Sequence, residues 1–123
     1  MHEMGLAQGI LQVVLDVAAG QKVRNISLLV GNQQMVAPGS LEFSFRLAAE
    51  GTEAADAVIA MEQVPTTLRC RECGAEAEAD LPPWSCRQCG AIEVEMLSGD
   101  ELSVEAVELD SGQIIRRRRD NGS

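Results

Sequence analysis

The sequence predicts an α/β protein in which two helices lie on a three-stranded sheet and a four-cysteine, zinc-ribbon-like domain is inserted. Three observations predict it. Residues 4–19 repeat their apolar side chains at helical spacing. Three apolar, β-branched runs at 23–30, 57–64 and 102–109 read as strands. All four cysteines fall between the second and third runs, as two Cys-x2-Cys-Gly pairs.

In the first helix, Met4 to Ala19, the residues Leu6, Ile10, Val13, Val14 and Val17 form one apolar stripe. Gln8, Gln12 and Asp16 mark the opposite face, and Gly20 suits the residue after the last turn. Val23 to Val30 follows as a strand, closed by the Gly31-Asn32 turn signal. Pro38-Gly39-Ser40 introduces a second helix over about 41–50, with Ser40 as N-cap and Gly51 as stop. Both phenylalanines, Phe43 and Phe45, lie in it, where core packing is the default expectation. Ala57 to Val64 is the second strand, ended by Pro65. Leu102 to Leu109 is the third; its apolar phase shifts after Val104, which marks a bulge or burial on both faces.

Cys70, Cys73, Cys86 and Cys89 occupy the stretch between those strands, with twelve residues between Cys73 and Cys86. A two-residue spacer lets both sulfurs of a pair face one centre. Gly74 and Gly90 can take the positive φ that turns backbone N–H groups toward them. Four thiolates so spaced suit tetrahedral zinc, with Zn–S near ~2.3 Å. A rubredoxin-like iron site uses the same ligands and stays open at this point. Trp84, in a stiff Asp80-Leu81-Pro82-Pro83-Trp84 loop, is expected to shield the metal. The implied organisation is a discontinuous domain, residues 1–65 plus 98–115, interrupted by a zinc-binding domain at 66–97. A basic tail, 116–123, follows.

Composition narrows the function classes. A content of 46% hydrophobic and 24% charged residues is a globular balance. No apolar run reaches the length of a membrane span, and no signal peptide is read, so with metal-type cysteines the expected compartment is the cytoplasm. The net charge is −9, yet four of the ten basic residues are Arg116 to Arg119. The body is therefore more acidic than the total suggests, and its field repels phosphate backbones. Nucleic acid is not an expected partner. One histidine, no Gly-rich phosphate loop and no nucleophile elbow leave no catalytic constellation, so an enzyme is not expected.

That histidine is His2, directly behind Met1. The α-amine of Met1 and the amide nitrogen of His2 can close a five-membered ring on a metal. The amide nitrogen and His2 Nδ1 close a six-membered one. In-plane nitrogen donors favour the tetragonal geometry of Ni(II) or Cu(II). On the residues alone, a solvated terminus with an incidental histidine is the competing reading.

Four segments then act together. MHEMGLAQGIL at the start, SLEFSFRLAAEGT in the middle, the doubled CxxC and the closing GDELSVEAVEL resemble the HypA family. These are the small nickel metallochaperones of [NiFe]-hydrogenase maturation. The resemblance spans about residues 1–110. It implies nickel bound through Met1, His2 and Glu3, and structural zinc on Cys70, Cys73, Cys86 and Cys89. It also implies an accessory GTPase partner, HypB, and the hydrogenase large subunit as client; a homodimer and a urease client are compatible with it. The arginine tail is not among the family features. Two other classes compete: an iron electron carrier built on the four cysteines, and a zinc-stapled adaptor in which His2 is idle.

Overall fold

A computed structural model of the chain describes residues 2–79 and 84–117, the side chain of His2 excepted. In chain order the elements are α1 (His2–Ala18), β1 (Val23–Gly31), a 3-10 turn (Asn32–Gln34), α2 (Pro38–Ala49), β2 (Val58–Val64), β3 (Thr67–Cys70), β4 (Glu76–Glu78), β5 (Val94–Ser98), β6 (Leu102–Leu109) and β7 (Ile114–Arg116). They form a four-stranded sheet, β2-β1-β6-β7, and a three-stranded sheet, β4-β3-β5. The chain divides into two compact units. One holds the residues up to Leu29, Val36–Glu62 and Ser103 onward; the other holds Val30–Met35 and Gln63–Leu102.

The core of the first unit follows from helical period. Ala7, Ile10, Val14 and Ala18 of α1 are buried, and so are Leu41, Phe45 and Ala49 of α2. The stripe on α1 is thus centred one residue round from the expected one. Two alanines occupy its middle, and Leu6, Val13 and Val17 form its half-buried margin. Ile26, Leu28, Val107 and Leu109 of the sheet complete the core. Phe45 is 1% exposed but Phe43 is 64% exposed, which corrects the expectation that both pack inside. Two residues along a helix is about 200° around it, so the pair cannot share a face. Phe45→Ala is expected to cost about 3–5 kcal/mol of stability in a denaturant titration.

Two other features differ from the sequence reading. α2 starts at Pro38, with Ala37 as an extended cap residue whose carbonyl accepts from Leu41 N–H at 3.0 Å. Proline fits the first helical position because its missing N–H has no partner there, so Ser40 lies inside the first turn. The sheet also gains a fourth strand beyond the three expected. After β6 the chain turns at once, with Leu109 N–H donating to Gln113 O at 2.8 Å, and β7 pairs antiparallel with Ala106 to Glu108. The pairing reaches Arg117, whose N–H donates to Glu105 O at 2.9 Å. Arg116 and Arg117 therefore belong with the sheet, and Arg118 to Ser123 lie outside the described residues. At the phase shift of β6 the expected burial on both faces is found, since Ala106 and Val107 are both buried.

In the second unit, β3 is the central strand of the ribbon, antiparallel to β4 and β5. Arg69 on β3 reaches Glu76 of β4 at 3.8 Å and Glu95 of β5 at 3.2 Å, an exposed triad across all three strands. The root of the ribbon is tightly interlocked. Gly31 N–H donates to Glu101 O and Gln33 N–H to Gly99 O, both at 2.7 Å. Gln33 Nε2 donates to the hydroxyl of buried Thr66 at 2.6 Å. A Cβ on Gly31 would stand 2.1 Å from Gly99 O, so only glycine permits this approach.

Candidate metal centre

Strand β3 delivers Cys70 and ends there. The chain then closes on itself: Cys70 N–H donates to Ala75 O at 2.8 Å and Gly74 N–H to Cys70 O at 3.0 Å. Gly74 takes φ 79°, a conformation that side chains disfavour. Within this turn the N–H groups of Glu72 and Cys73 point at Cys70 Sγ, at 3.3 and 3.4 Å. The same turn occurs again sixteen residues later in the sequence. Cys86 N–H donates to Ala91 O and Gly90 N–H to Cys86 O, both at 2.8 Å; Gly90 has φ 77°, and Cys89 N–H faces Cys86 Sγ at 3.4 Å. Arg71 N–H donates to Glu93 O at 2.8 Å, which ties the first turn to the segment entering β5.

The two turns bring all four sulfurs together. Cys70 and Cys89 Sγ lie 3.6 Å apart, as do Cys73 and Cys86 Sγ, and all four fall within 4.8 Å of one another. A disulfide bond would need about 2.05 Å. A tetrahedron with metal–sulfur bonds of about 2.3 Å has edges of about 3.8 Å, so the residues present fit a zinc-sized tetrahedral ion. Each turn contributes one buried sulfur ligand, Cys70 or Cys86, and one exposed, Cys73 or Cys89. An apolar cleft of about 170 Å³ adjoins the buried pair, walled by Leu68, Ala77 and Val94. Trp84 is half-buried, and its Nε1 is buried with no hydrogen-bond partner among the described residues. Asp80 to Pro83 lie outside them.

The electrostatics suit a cation. The Cys86 thiol is pulled down to about 6, first by the Cys89 N–H and then by the Gln88 N–H, and Cys70 is lowered chiefly by the Cys73 N–H. Cys89 moves the other way, up to about 12: the Ala91 N–H lowers it, but its contacts with Cys70 and Cys86, together with burial, prevail. Backbone donors favour the thiolate of one sulfur in each turn, while crowding of the sulfurs favours the thiol of the other. Protons compete with metal for these sulfurs. The sign is therefore fixed: Cys86 is thiolate above about 6 and is protonated as pH falls through that value. Zinc affinity, read by competition with a chromogenic chelator, is therefore expected to be lower at pH 6 than at pH 7.5.

The positive φ of Gly74 and Gly90 and backbone N–H groups aimed at the sulfurs are as the sequence predicts, whereas the carbonyl acceptors Ala75, Ala91 and Glu93 escaped it. The repeated Cys-Arg-x-Cys-Gly-Ala, at 70–75 and 86–91, was the available signal. At the other end of the chain, His2 opens α1 and Glu3 sits half-buried in its first turn. Met1 and the His2 ring lie outside the described residues.

Comparison with known proteins gives one family. The model described as "Hydrogenase/urease nickel incorporation, metallochaperone, hypA" matches residues 1–109. Hydrogenase maturation factor HypA of Streptomyces avermitilis is 38% identical over 125 residues, covering 98% of this chain and 95% of that protein. The factor of the same name from Nostoc sp. is 33% identical over 110 residues, covering 89% and 96%. Among solved structures, the nickel metallochaperone HypA from Helicobacter pylori superposes with a TM-score of 0.64, over 89% of this chain and 97% of that one. At 17% identity that likeness speaks for the fold.

Proposed function

Because the chain belongs to the HypA family of hydrogenase and urease nickel-incorporation metallochaperones, we propose that it binds Ni(II) at Met1, His2 and Glu3 and hands it on during [NiFe]-hydrogenase maturation. The observation that carries this reading is the match running from residue 1 to residue 109, through both the Met-His-Glu terminus and the four-sulfur cluster. Nickel is the cargo. Zinc on Cys70, Cys73, Cys86 and Cys89 is the resident ion, and it cross-links the two turns. In this reading the α/β domain comprises 1–65 plus 98–117, with Arg116 and Arg117 taken from the expected tail into the sheet, and the zinc domain comprises 66–97.

The remaining roles follow from that reading. HypB, as accessory GTPase, and the hydrogenase large subunit are the partners, a homodimer is a compatible state, and the cytoplasm is the compartment. No helix among the described residues is long and apolar enough to cross a membrane. Nothing in the family role requires catalysis by the chain itself.

Nickel titration of the zinc-loaded protein tests the proposal. One Ni(II) per chain, additional to the zinc and without its loss, is expected by calorimetry. A protein that binds zinc but no nickel would be an adaptor, and the proposal would fail. A red protein holding iron at the four sulfurs would instead favour an electron carrier.

A further inference from the structure

The four edges of the two sheets are not alike. An edge strand presents unpaired N–H and C=O groups, and short length, charge or proline normally blunts it. β4 and β7 have three residues each and carry Glu76 and Glu78, or Arg116. β5 has five and carries Glu95. β2 lies at one edge of the four-stranded sheet, beside β1. It has seven residues, no proline and a single charge, Glu62. Among the described residues, no backbone group of Val58–Val64 makes a hydrogen bond outside the sheet.

The side chains of β2 alternate. Ile59 is buried, whereas Val58, Ala60 and Glu62 are exposed on the other face, Val58 by 55%. A strand added in the same plane must keep like faces together. Of the antiparallel registers that do so when β2 meets a copy of itself, only the one centred on Met61 uses all seven residues. It sets Val58 opposite Val64, Ile59 opposite Gln63 and Ala60 opposite Glu62. The two Glu62 carboxylates then do not face each other, so no like charges are directly opposed. With its one charge off centre, the strand is complementary to itself.

We propose that β2 pairs antiparallel with β2 of a second copy of this chain, about a two-fold axis at Met61, and joins two four-stranded sheets into one of eight. That axis is perpendicular to the sheet, so α1 and α2 of both copies stay on one side. The interface is independent of where nickel is bound.

The test is sedimentation of the full, zinc-loaded chain over a concentration series up to millimolar. Physiological ionic strength is used, to screen the repulsion between copies of charge −9. A monomer–dimer equilibrium is expected. Ala60→Lys places a cation opposite Glu62 of the second copy, twice per dimer, and should tighten association about fivefold. Ala60→Glu opposes like charges twice and should weaken it by about the same factor. Gln8→Lys, on the exposed face of α1, makes the same change in net charge and should leave the dissociation constant near that of the native chain. Tightening by Ala60→Lys cannot arise from damage to the fold, and circular dichroism with zinc content checks Ala60→Glu. A chain that stays monomeric throughout overturns the proposal. So does a dimer that responds alike to Ala60→Lys and Ala60→Glu, or one that Gln8→Lys tightens as much as Ala60→Lys does. A monomer that still takes up nickel overturns this interface alone and leaves the metallochaperone reading standing.

Discussion

Tight nickel binding is expected to be abolished when Gly-Ser is placed ahead of Met1, although His2 and every other residue remain. In the proposed chelate the Met1 amine is a ligand, and an added residue converts it into an ordinary amide. Acetylation of the amine should do the same, whereas a C-terminal tag without metal-binding residues should be harmless. The effect carries a pH signature. A terminal amine has a reference pKa of about 7.7–8.0, and a coordinated amide nitrogen must lose its proton. Affinity should therefore fall from about pH 8 to 6 more steeply than the titration of one imidazole explains. Copper(II) should bind the site more tightly than nickel, as the Irving–Williams order requires. Equal affinity and stoichiometry in the native and extended chains would falsify the chelate.

The second large effect belongs to the four cysteines. Cys73→Ala or Cys86→Ala is expected to lose zinc and unfold the ribbon, while the helices and the four-stranded sheet persist. Burial supplies the reason. Among the described residues from Thr67 to Ser98, the only buried apolar side chains are Leu68, Cys70 and Cys86, and β4 is exposed throughout. So small a core does not hold three short strands by itself. A structural zinc contributes about 10–16 kcal/mol in apparent terms in isolated zinc peptides, enough to account for the fold of such a module. The other unit has Phe45, Ile26, Leu28, Leu41, Val107 and Leu109 packed inside and needs no metal. Zinc content by mass spectrometry and helix content by circular dichroism check both halves. One zinc per chain retained in either variant would sink the idea.

The sequence was legible where the determinants are local or periodic. Leu102–Leu109 has the bounds read from its apolar run, and α1 ends within one residue of its expected limit. The metal centre was legible for the same reason, since a Cys-x2-Cys-Gly turn encodes its geometry within five residues. Illegible elements were those too short to show a period. Strand β7 has three residues, and β3, β4 and β5 have four, three and five, much of them charged or half-exposed. Tertiary pairing holds such strands, not their composition. Phe43 misled because composition says that phenylalanine is inside, whereas its angular position on α2 places it outside.

The interlocked root of the ribbon has a consequence for how this chain came to be built. Ser98 Oγ donates to Pro65 O at 2.9 Å, and Ser98 pairs with Thr67, so the ribbon departs and returns at one doorway. A segment whose two ends meet is a portable cassette: it can be gained, lost or exchanged without rethreading its host. Excising residues 66–97 and joining Pro65 to Ser98 through a short turn should leave an α/β host that still folds, because closing a short loop adds only a small entropic term. In the same way, a foreign metal ribbon with adjacent ends should be accepted in its place. The host offers a socket, and the zinc module is one plug that fits it.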